Sequence, residues 1–241
     1  MQDSYLLAID TAHQDCSVAV MKRDDPSSVV YQTETVGNGH AERILAMIDE
    51  VLAQAQIGKD ALSVVAFGRG PGSFTGLRVA CGIAQGLGWA LGLKLAQVNN
   101  LEACALACAE AHQLPAGSRL AILNDARMHE VYAGVYRLGA PGERPQCEVP
   151  ARLVKPEDLV AWLPYYRVDI VAGSALAQYQ PELPVNVRVE SVPGSMITAL
   201  AALGWMDAKE NLLVTPALAA PLYVRDRVAL TMAQRAQGEK L

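Results

Sequence analysis

Two rhythms of apolar and polar positions alternate along the chain. Residues 5–9 form a short apolar run that stops at Asp10-Thr11, the pattern of a buried strand feeding a polar turn. Residues 16–21 and 29–35 read as two more strands, split by Asp24-Asp25-Pro26-Ser27-Ser28, and together the three make a meander. From His40 the period changes. Ala41, Ile44, Leu45, Ile48, Val51, Leu52 and Ala55 recur at helical spacing, and this amphipathic helix ends near Gly58. A strand over 62–67, a glycine-rich loop over 68–76, a helix to about Leu93, a strand over 95–98 and an alanine-rich helix over 101–112 follow. The first 113 residues thus run β-β-β-α-β-α-β-α.

Leu114-Pro115-Ala116-Gly117 punctuates the chain, and the pattern restarts. Strands are expected over 120–124, 130–137 and near 147–154, then a helix over 156–163 opened by its proline. Strands over 168–172 and 185–189 and a helix over 196–207 complete the half. The sequence does not repeat, yet the element order does approximately, with strand-to-aspartate corners at Asp10 and Asp125. The expected units are 1–113, 114–195, and a terminal helix and tail over 196–241 that packs back toward the first unit.

Composition narrows the class. With 51% hydrophobic residues among 241, the chain is no disordered protein, and it is long enough to fold on its own core without disulfide or metal. Its net charge of −5 argues against gripping nucleic acid unaided, since backbone binding needs a concentrated basic face. The five cysteines, at 16, 81, 104, 108 and 147, form no CxxC and point to a reducing cytoplasm. The N-terminus lacks the basic flank of a signal peptide, and the least polar stretch, 79–93, is shorter than the ~20 residues a membrane helix needs.

The densest chemical signal is Phe67-Gly68-Arg69-Gly70-Pro71-Gly72-Ser73-Phe74-Thr75-Gly76-Leu77-Arg78. A glycine-rich turn before a helix can aim backbone N–H groups at an anion, or can simply be a tight structural turn. The standard fingerprints fail: no lysine supplies a Walker A loop, Ser73 stands where the third Rossmann glycine belongs, and Pro71 precedes Ser73 where a nucleophile elbow needs glycine. Asp10-Thr11 and Asp125-Ala126-Arg127 both follow buried strands; facing a cleft they would hold a metal-bound phosphate, and otherwise they cap their turns. Gly173-Ser174 either lets a flat ring approach the backbone or is a plain turn. None of the four histidines, at 13, 40, 112 and 129, lies within five residues of another, and Cys104 and Cys108 read as core. The helix after the glycine-rich stretch has glycines at 82, 86 and 88, each about 1 kcal/mol worse than alanine. Its small residues Ala80, Ala84, Gly88 and Gly92 form a row four apart, which either packs on the chain's own sheet or admits a partner helix.

The stretch from Gly68 to Arg78 resembles the signature of the TsaB (formerly YeaZ) family, a subunit of the bacterial machinery that makes N6-threonylcarbamoyladenosine at position 37 of tRNAs reading ANN codons. Supporting likenesses are Leu7-Ala8-Ile9-Asp10-Thr11, Cys16-Ser17-Val18-Ala19, His40-Ala41-Glu42-Arg43-Ile44-Leu45, Asn100-Leu101-Glu102-Ala103, Asp125-Ala126-Arg127, Glu130-Val131-Tyr132 and a C-terminal Pro221-Leu222-Tyr223-Val224-Arg225. Ala12 departs from the pattern, in which serine often follows Asp-Thr.

The resemblance implies an α/β, actin-like ATPase fold of the Hsp70–sugar kinase class, with two domains on mixed sheets. It implies a non-catalytic subunit that binds TsaD, whose His-x3-His metal pair this chain lacks. TsaE, a P-loop ATPase, would join the pair, TsaC would supply threonylcarbamoyl-adenylate, and the isolated chain would form a homodimer through the same helices. The implied interface is Ile44, Leu45, Ile48, Phe74, Thr75, Arg78, Ala80, Ala84 and Gly88, on a helix pair where Ala84→Trp would break binding and spare the fold. Asp10, Thr11, Asp125, Arg127, Gly173 and Ser174 would mark a vestigial nucleotide site with weak ATP or ADP binding and no required cofactor. Contacts to tRNA would come mainly through the complex, with no membrane involved. The alternative is a stand-alone ATP-dependent enzyme or metallopeptidase of the same fold, using Asp10 and Asp125.

Overall fold

A computed structural model describes residues 4–37 and 39–225. In the first half, β1 (Tyr5–Asp10), β2 (Asp15–Lys22) and β3 (Asp25–Thr35) form the meander; α1 (His40–Gln54), β4 (Leu62–Gly70), α2 (Phe74–Leu91), β5 (Lys94–Asn99) and α3 (Asn100–Ala111) follow. The sheet order is β3-β2-β1-β4-β5, antiparallel through the meander and parallel from β1 to β4 to β5. The second half comprises β6 (Arg119–Asp125), β7 (Val131–Arg137), β8 (Gln146–Val154), α4 (Leu159–Tyr165), β9 (Ile170–Ala172), α5 (Ser174–Tyr179), β10 (Arg188–Glu190) and α6 (Ile197–Lys209). Its sheet, β10-β9-β6-β7-β8, repeats the first strand for strand.

The central strands show why. The run YLLAID in β1 is buried on both faces, as a strand paired on both sides and covered by helices must be. Leu7 and Ile9 face Ile44, Met47, Ile48 and Val51 of α1 and Ala80 and Ala84 of α2. Leu6 and Ala8 face the other layer, with Leu106 of α3 and Leu200 and Leu203 of α6. Helix α3 is apolar nearly all round because its other side, through Leu101, Cys104 and Cys108, packs on Leu120, Ile122 and Tyr136 of the second sheet. Helix α6 crosses back onto the first sheet, where Gly204 lets it approach: a Cβ there would meet Ala66 Cβ at 2.8 Å and Leu6 Cδ1 at 2.9 Å. Trp205 Nε1 donates to the Met21 carbonyl at 3.2 Å.

Several expected boundaries move. The glycine-rich loop is short, because β4 stays hydrogen-bonded to β5 through Gly68 and, past a bulge, Gly70, and α2 already starts at Phe74. Helix α5 lies where only a turn was expected, and β10 sits at 188–190 rather than 185–189. The expected helix over 156–163 divides into a 3-10 turn at Pro156–Asp158 and α4. The last part of the expected tail, 226–241, lies outside the described residues. Among the described residues no helix is long and apolar enough to cross a membrane.

Arg144 ties α3 and α6 together. It donates to Glu102 of α3 at 2.8 Å and to Asp207 of α6 at 2.5 Å. Burial pushes both carboxyls above their ordinary range and outweighs the attraction of the guanidinium. A carboxyl raised in the folded state favours folding when protonated and disfavours it once ionised, so acid relieves rather than worsens the strain. Arg144→Met should therefore lose about 2 kcal/mol at about pH 8, less than a fully buried pair because the guanidinium is partly exposed. The deficit should shrink on acidification, as the raised carboxyls protonate ahead of ordinary ones, which urea unfolding at about pH 8 and at a mildly acidic pH will read. A deficit that grows on acidification would contradict this.

Candidate functional site

The turn after β1 and the glycine-rich segment form one packed unit. Asn100 donates to both Asp10 carboxylate oxygens, at 3.1 and 3.0 Å, and accepts the Gly70 N–H at 2.7 Å. The Ala12 N–H also donates to Asp10, at 3.0 Å. Thr11 Oγ1 donates to the Gly76 carbonyl at 2.7 Å, and the Ser73 N–H to the Ala12 carbonyl at 2.7 Å. Ser73 caps α2 by accepting from the Gly76 N–H at 3.3 Å. Three glycines are required by this crossing. A Cβ on Gly68 would meet Asn100 Nδ2 at 2.8 Å, one on Gly72 would meet the Ala12 carbonyl at 2.6 Å, and one on Gly76 would collide with the Thr11 carbonyl. The N–H groups of Gly70, Ser73 and Gly76 are thus satisfied within the chain, as a tight structural turn requires.

Asp10, Asn124 and Ser174 do meet, with His13, Asp15 and Ser17, around a cavity of about 190 Å³ between the two sheets. Asp125 does not line it. Its carboxylate accepts from Tyr179 Oη at 2.5 Å and the Arg127 N–H at 2.8 Å, and pairs with Arg127 Nη1 at 3.0 Å. Burial and that carboxylate push the Tyr179 hydroxyl up to about 12. Gly173, at φ 138°, is pressed against the Leu123 backbone, so a side chain is excluded by the chain itself. Ser174 Oγ accepts the Asp125 N–H at 3.0 Å, and the Ser174 N–H donates to Asn124 at 3.3 Å. Thr11 is fully buried, and Arg127 points outward with its side chain 72% exposed. Of the six residues expected around a nucleotide, Asp10 and Ser174 line the cavity. Among the described residues no three His, Cys, Asp or Glu side chains are grouped to hold a metal.

The segment 221–225 straps the two halves together. The Leu222 N–H donates to the Arg69 carbonyl at 2.6 Å, and Tyr223 lies 5.5 Å from the Phe74 ring. The Arg78 guanidinium stacks 3.4 Å over Phe74 and 5.5 Å from Tyr223. At the other end Arg225 donates to the Ala126 carbonyl at 3.0 Å and pairs with Glu130 at 2.5 Å. It thereby holds a loop in which Arg127, Met128 and His129 all have positive φ.

The expected partner surface needs correction. Ile44, Ile48, Ala80, Ala84 and Gly88 are buried in the chain's own core and offer nothing to a partner. A Cβ on Gly88 would meet Pro216 Cγ at 2.8 Å and Leu95 Cδ2 at 2.9 Å, so this row serves the close fit of α2 on its sheet. Leu45, Phe74, Thr75 and Arg78 are exposed. With them stand residues that the sequence reading did not place on the partner surface: Gly82 and Gly86, where an added Cβ meets nothing within 4 Å, and Trp89, 69% exposed. Gly82 and Gly86 lie two residues from Ala80 and Ala84, about 200° round the helix, so the outward row is opposite the one chosen. The large exposed Trp89 was the signal that marked the outer face.

A family model described as TsaD, tRNA N6-adenosine threonylcarbamoyltransferase, matches residues 32–164. The TsaB tRNA threonylcarbamoyladenosine biosynthesis protein of Haemophilus influenzae is 45% identical over 132 residues, 55% of this chain and 53% of that protein. The chain thus spans about half the length of the curated relatives it matches. YeaZ from Pseudomonas aeruginosa superposes with a TM-score of 0.76 at 30% identity, over 91% of this chain and 99% of that one. A Listeria monocytogenes protein assigned as an N-acetylmannosamine kinase shares the fold alone, with a TM-score of 0.51 at 10% identity over 85% of this chain and 99% of that one. The fold is that of the actin-like, sugar kinase class.

Proposed function

The chain belongs to the TsaD family, beside its TsaB (YeaZ) relatives, and from that premise we propose that it is the non-catalytic, TsaD-binding subunit of the threonylcarbamoyladenosine machinery. In this role it stabilises and activates TsaD for formation of the threonylcarbamoyl group on N6 of adenosine 37 in tRNAs reading ANN codons. The observation that carries the reading is the outer face of α2, where Gly82, Gly86 and Trp89 stand exposed beside Phe74 and Arg78, with Leu45 of α1 also at the surface. A helix whose outward glycines support nothing in their own chain is suited to close approach by a second helix.

TsaE completes a ternary complex, TsaC supplies the activated threonylcarbamoyl group, and the same face pairs two copies when TsaD is absent. The net charge of −5 supports leaving most tRNA contacts to the partners in the cytoplasm. No cofactor is required, and ATP or ADP binds weakly: the cavity of about 190 Å³ at Asp10 is below the ~300–1,000 Å³ typical of ligand pockets. The competing reading, an enzyme acting through Asp10 and Asp125, has less support, because both carboxylates are held by groups of the same fold and Asp125 does not line the cavity.

Reconstituted tRNA modification with TsaC, TsaD and TsaE tests the proposal. Product should form with the chain present and fall to background without it. Equal product in both reactions would refute it, as would ATP turnover by the chain alone near ~1 per second that Asp10→Ala abolishes.

A further inference from the structure

Helix α2 carries a single charged side chain, Arg78, and the strap segment beside it, 215–224, carries none. The strap is fixed along the helix: Gln85 of α2 donates to the Pro216 and Ala219 carbonyls, at 3.1 Å each, and the Leu222 N–H to the Arg69 carbonyl. This brings Tyr223 to Phe74 at a centroid distance of 5.5 Å, and the exposed Arg78 guanidinium lies 3.4 Å over the Phe74 ring. Stacking this close holds the fork of a guanidinium in place and leaves its N–H groups to other partners. Among the described residues Arg78 makes no hydrogen bond and has no carboxylate within ion-pair distance. The hydroxyl of Tyr223, itself half-exposed, makes no hydrogen bond either. A cation and a hydroxyl, both placed by one aromatic ring and both unanswered within the chain, thus stand together at the surface.

The surroundings select what answers Arg78. Trp89 lies about 20° round the helix from it and about 16 Å along the axis, so the cation stands at one end of a stripe that is otherwise uncharged. Nucleic acid is held through many phosphates and needs a concentrated basic face, whereas one cation on an apolar surface matches one carboxylate. A second copy meeting the same face would bring another Arg78 and no carboxylate from α2 or the strap. Resting on the role proposed above, we infer that Arg78, held by Phe74 and Tyr223, takes a carboxylate of TsaD, with the Tyr223 hydroxyl as a second donor beside it. The strap is then part of the partner surface as well as the tie between the two halves. Arginine and tyrosine are among the residues that dominate interface energies, and a side chain already held in place loses less freedom on binding.

Calorimetric titration of TsaD with the parent chain, Arg78→Gln, Arg78→Lys and Tyr223→Phe, without tRNA and at about 50 and about 500 mM salt, tests it. Arg78→Gln should weaken binding at least about tenfold at the lower salt and by less at the higher, because salt screens the contact it removes. Arg78→Lys should fall between the two, since it keeps the charge and loses the planar fork. Tyr223→Phe keeps the ring stack and removes the donor, and should weaken binding about threefold or more. The substituted side chains are exposed, and circular dichroism checks that the variants are folded. A parent chain that does not bind TsaD would refute the role and this contact together. With the parent bound, a folded Arg78→Gln within about twofold of it at the lower salt would refute the contact alone. A loss confined to self-association of the chain would assign the cation to a second copy, and a loss confined to tRNA retention by the assembled complex would assign it to a phosphate; either overturns the assignment.

Discussion

Gly76→Ala should destabilise the protein by about 3 kcal/mol or more, a large part of the ~5–15 kcal/mol that holds a typical domain folded. In an exposed helix the same change stabilises by about 0.5–1 kcal/mol, since alanine loses less backbone freedom. The sign reverses at Gly76 because its added Cβ would fall on the Thr11 carbonyl, backbone against backbone, with no flexible side chain to move aside. The Thr11 hydroxyl, bonded to the Gly76 carbonyl at 2.7 Å, fixes the two segments at that spacing. Separating them would also strain Ser73 on Ala12 and Asn100 on Asp10. Urea unfolding of Gly76→Ala beside Gly82→Ala makes the comparison internal: the first midpoint should fall steeply and the second should hold or rise. A Gly76→Ala midpoint close to the parent would mean the crossing is looser than described.

Ala84→Trp should also unfold the chain, reversing the outcome expected from the small-residue row. Ala84 is fully buried, in one cluster with Phe67 of β4 and Leu95 of β5. An indole there has no void to enter, and overpacking by so much exceeds the usual ~1–3 kcal/mol. Near-ultraviolet circular dichroism and thermal melting should show lost packing and an early, broad transition. A native-like melt would place Ala84 at the surface and restore the rejected interface.

The fold was legible where apolar period and punctuation agree. The run before Asp10, the run before Asp125 and the switch to helical spacing at His40 each mark a real element. It was less legible where backbone pairing continues without side chains. Gly68 and Gly70 look like loop by composition, yet they remain in the β4 ladder. Helix α2 misled for a different reason: it carries small residues at period four on two opposite faces, and most of its other positions are apolar. Periodicity alone does not choose between such faces; Arg78 and Trp89 do. The fate of the two aspartates was out of reach, since Asp10 is engaged by Asn100 from 90 positions away and Asp125 by Tyr179 from 54.

The role of the outer α2 face is tested most directly by titrating TsaD with the parent chain and with Gly82→Gln. Gly82 is exposed and an added Cβ there meets nothing, so the variant should fold with an unchanged or higher unfolding midpoint. At a helix–helix contact the same side chain would hold the axes apart and cost about 1–3 kcal/mol, a roughly 5–150-fold loss of affinity. A folded Gly82→Gln that binds TsaD at least fivefold more weakly is the result predicted here. A folded Gly82→Gln that binds TsaD as tightly as the parent would contradict it.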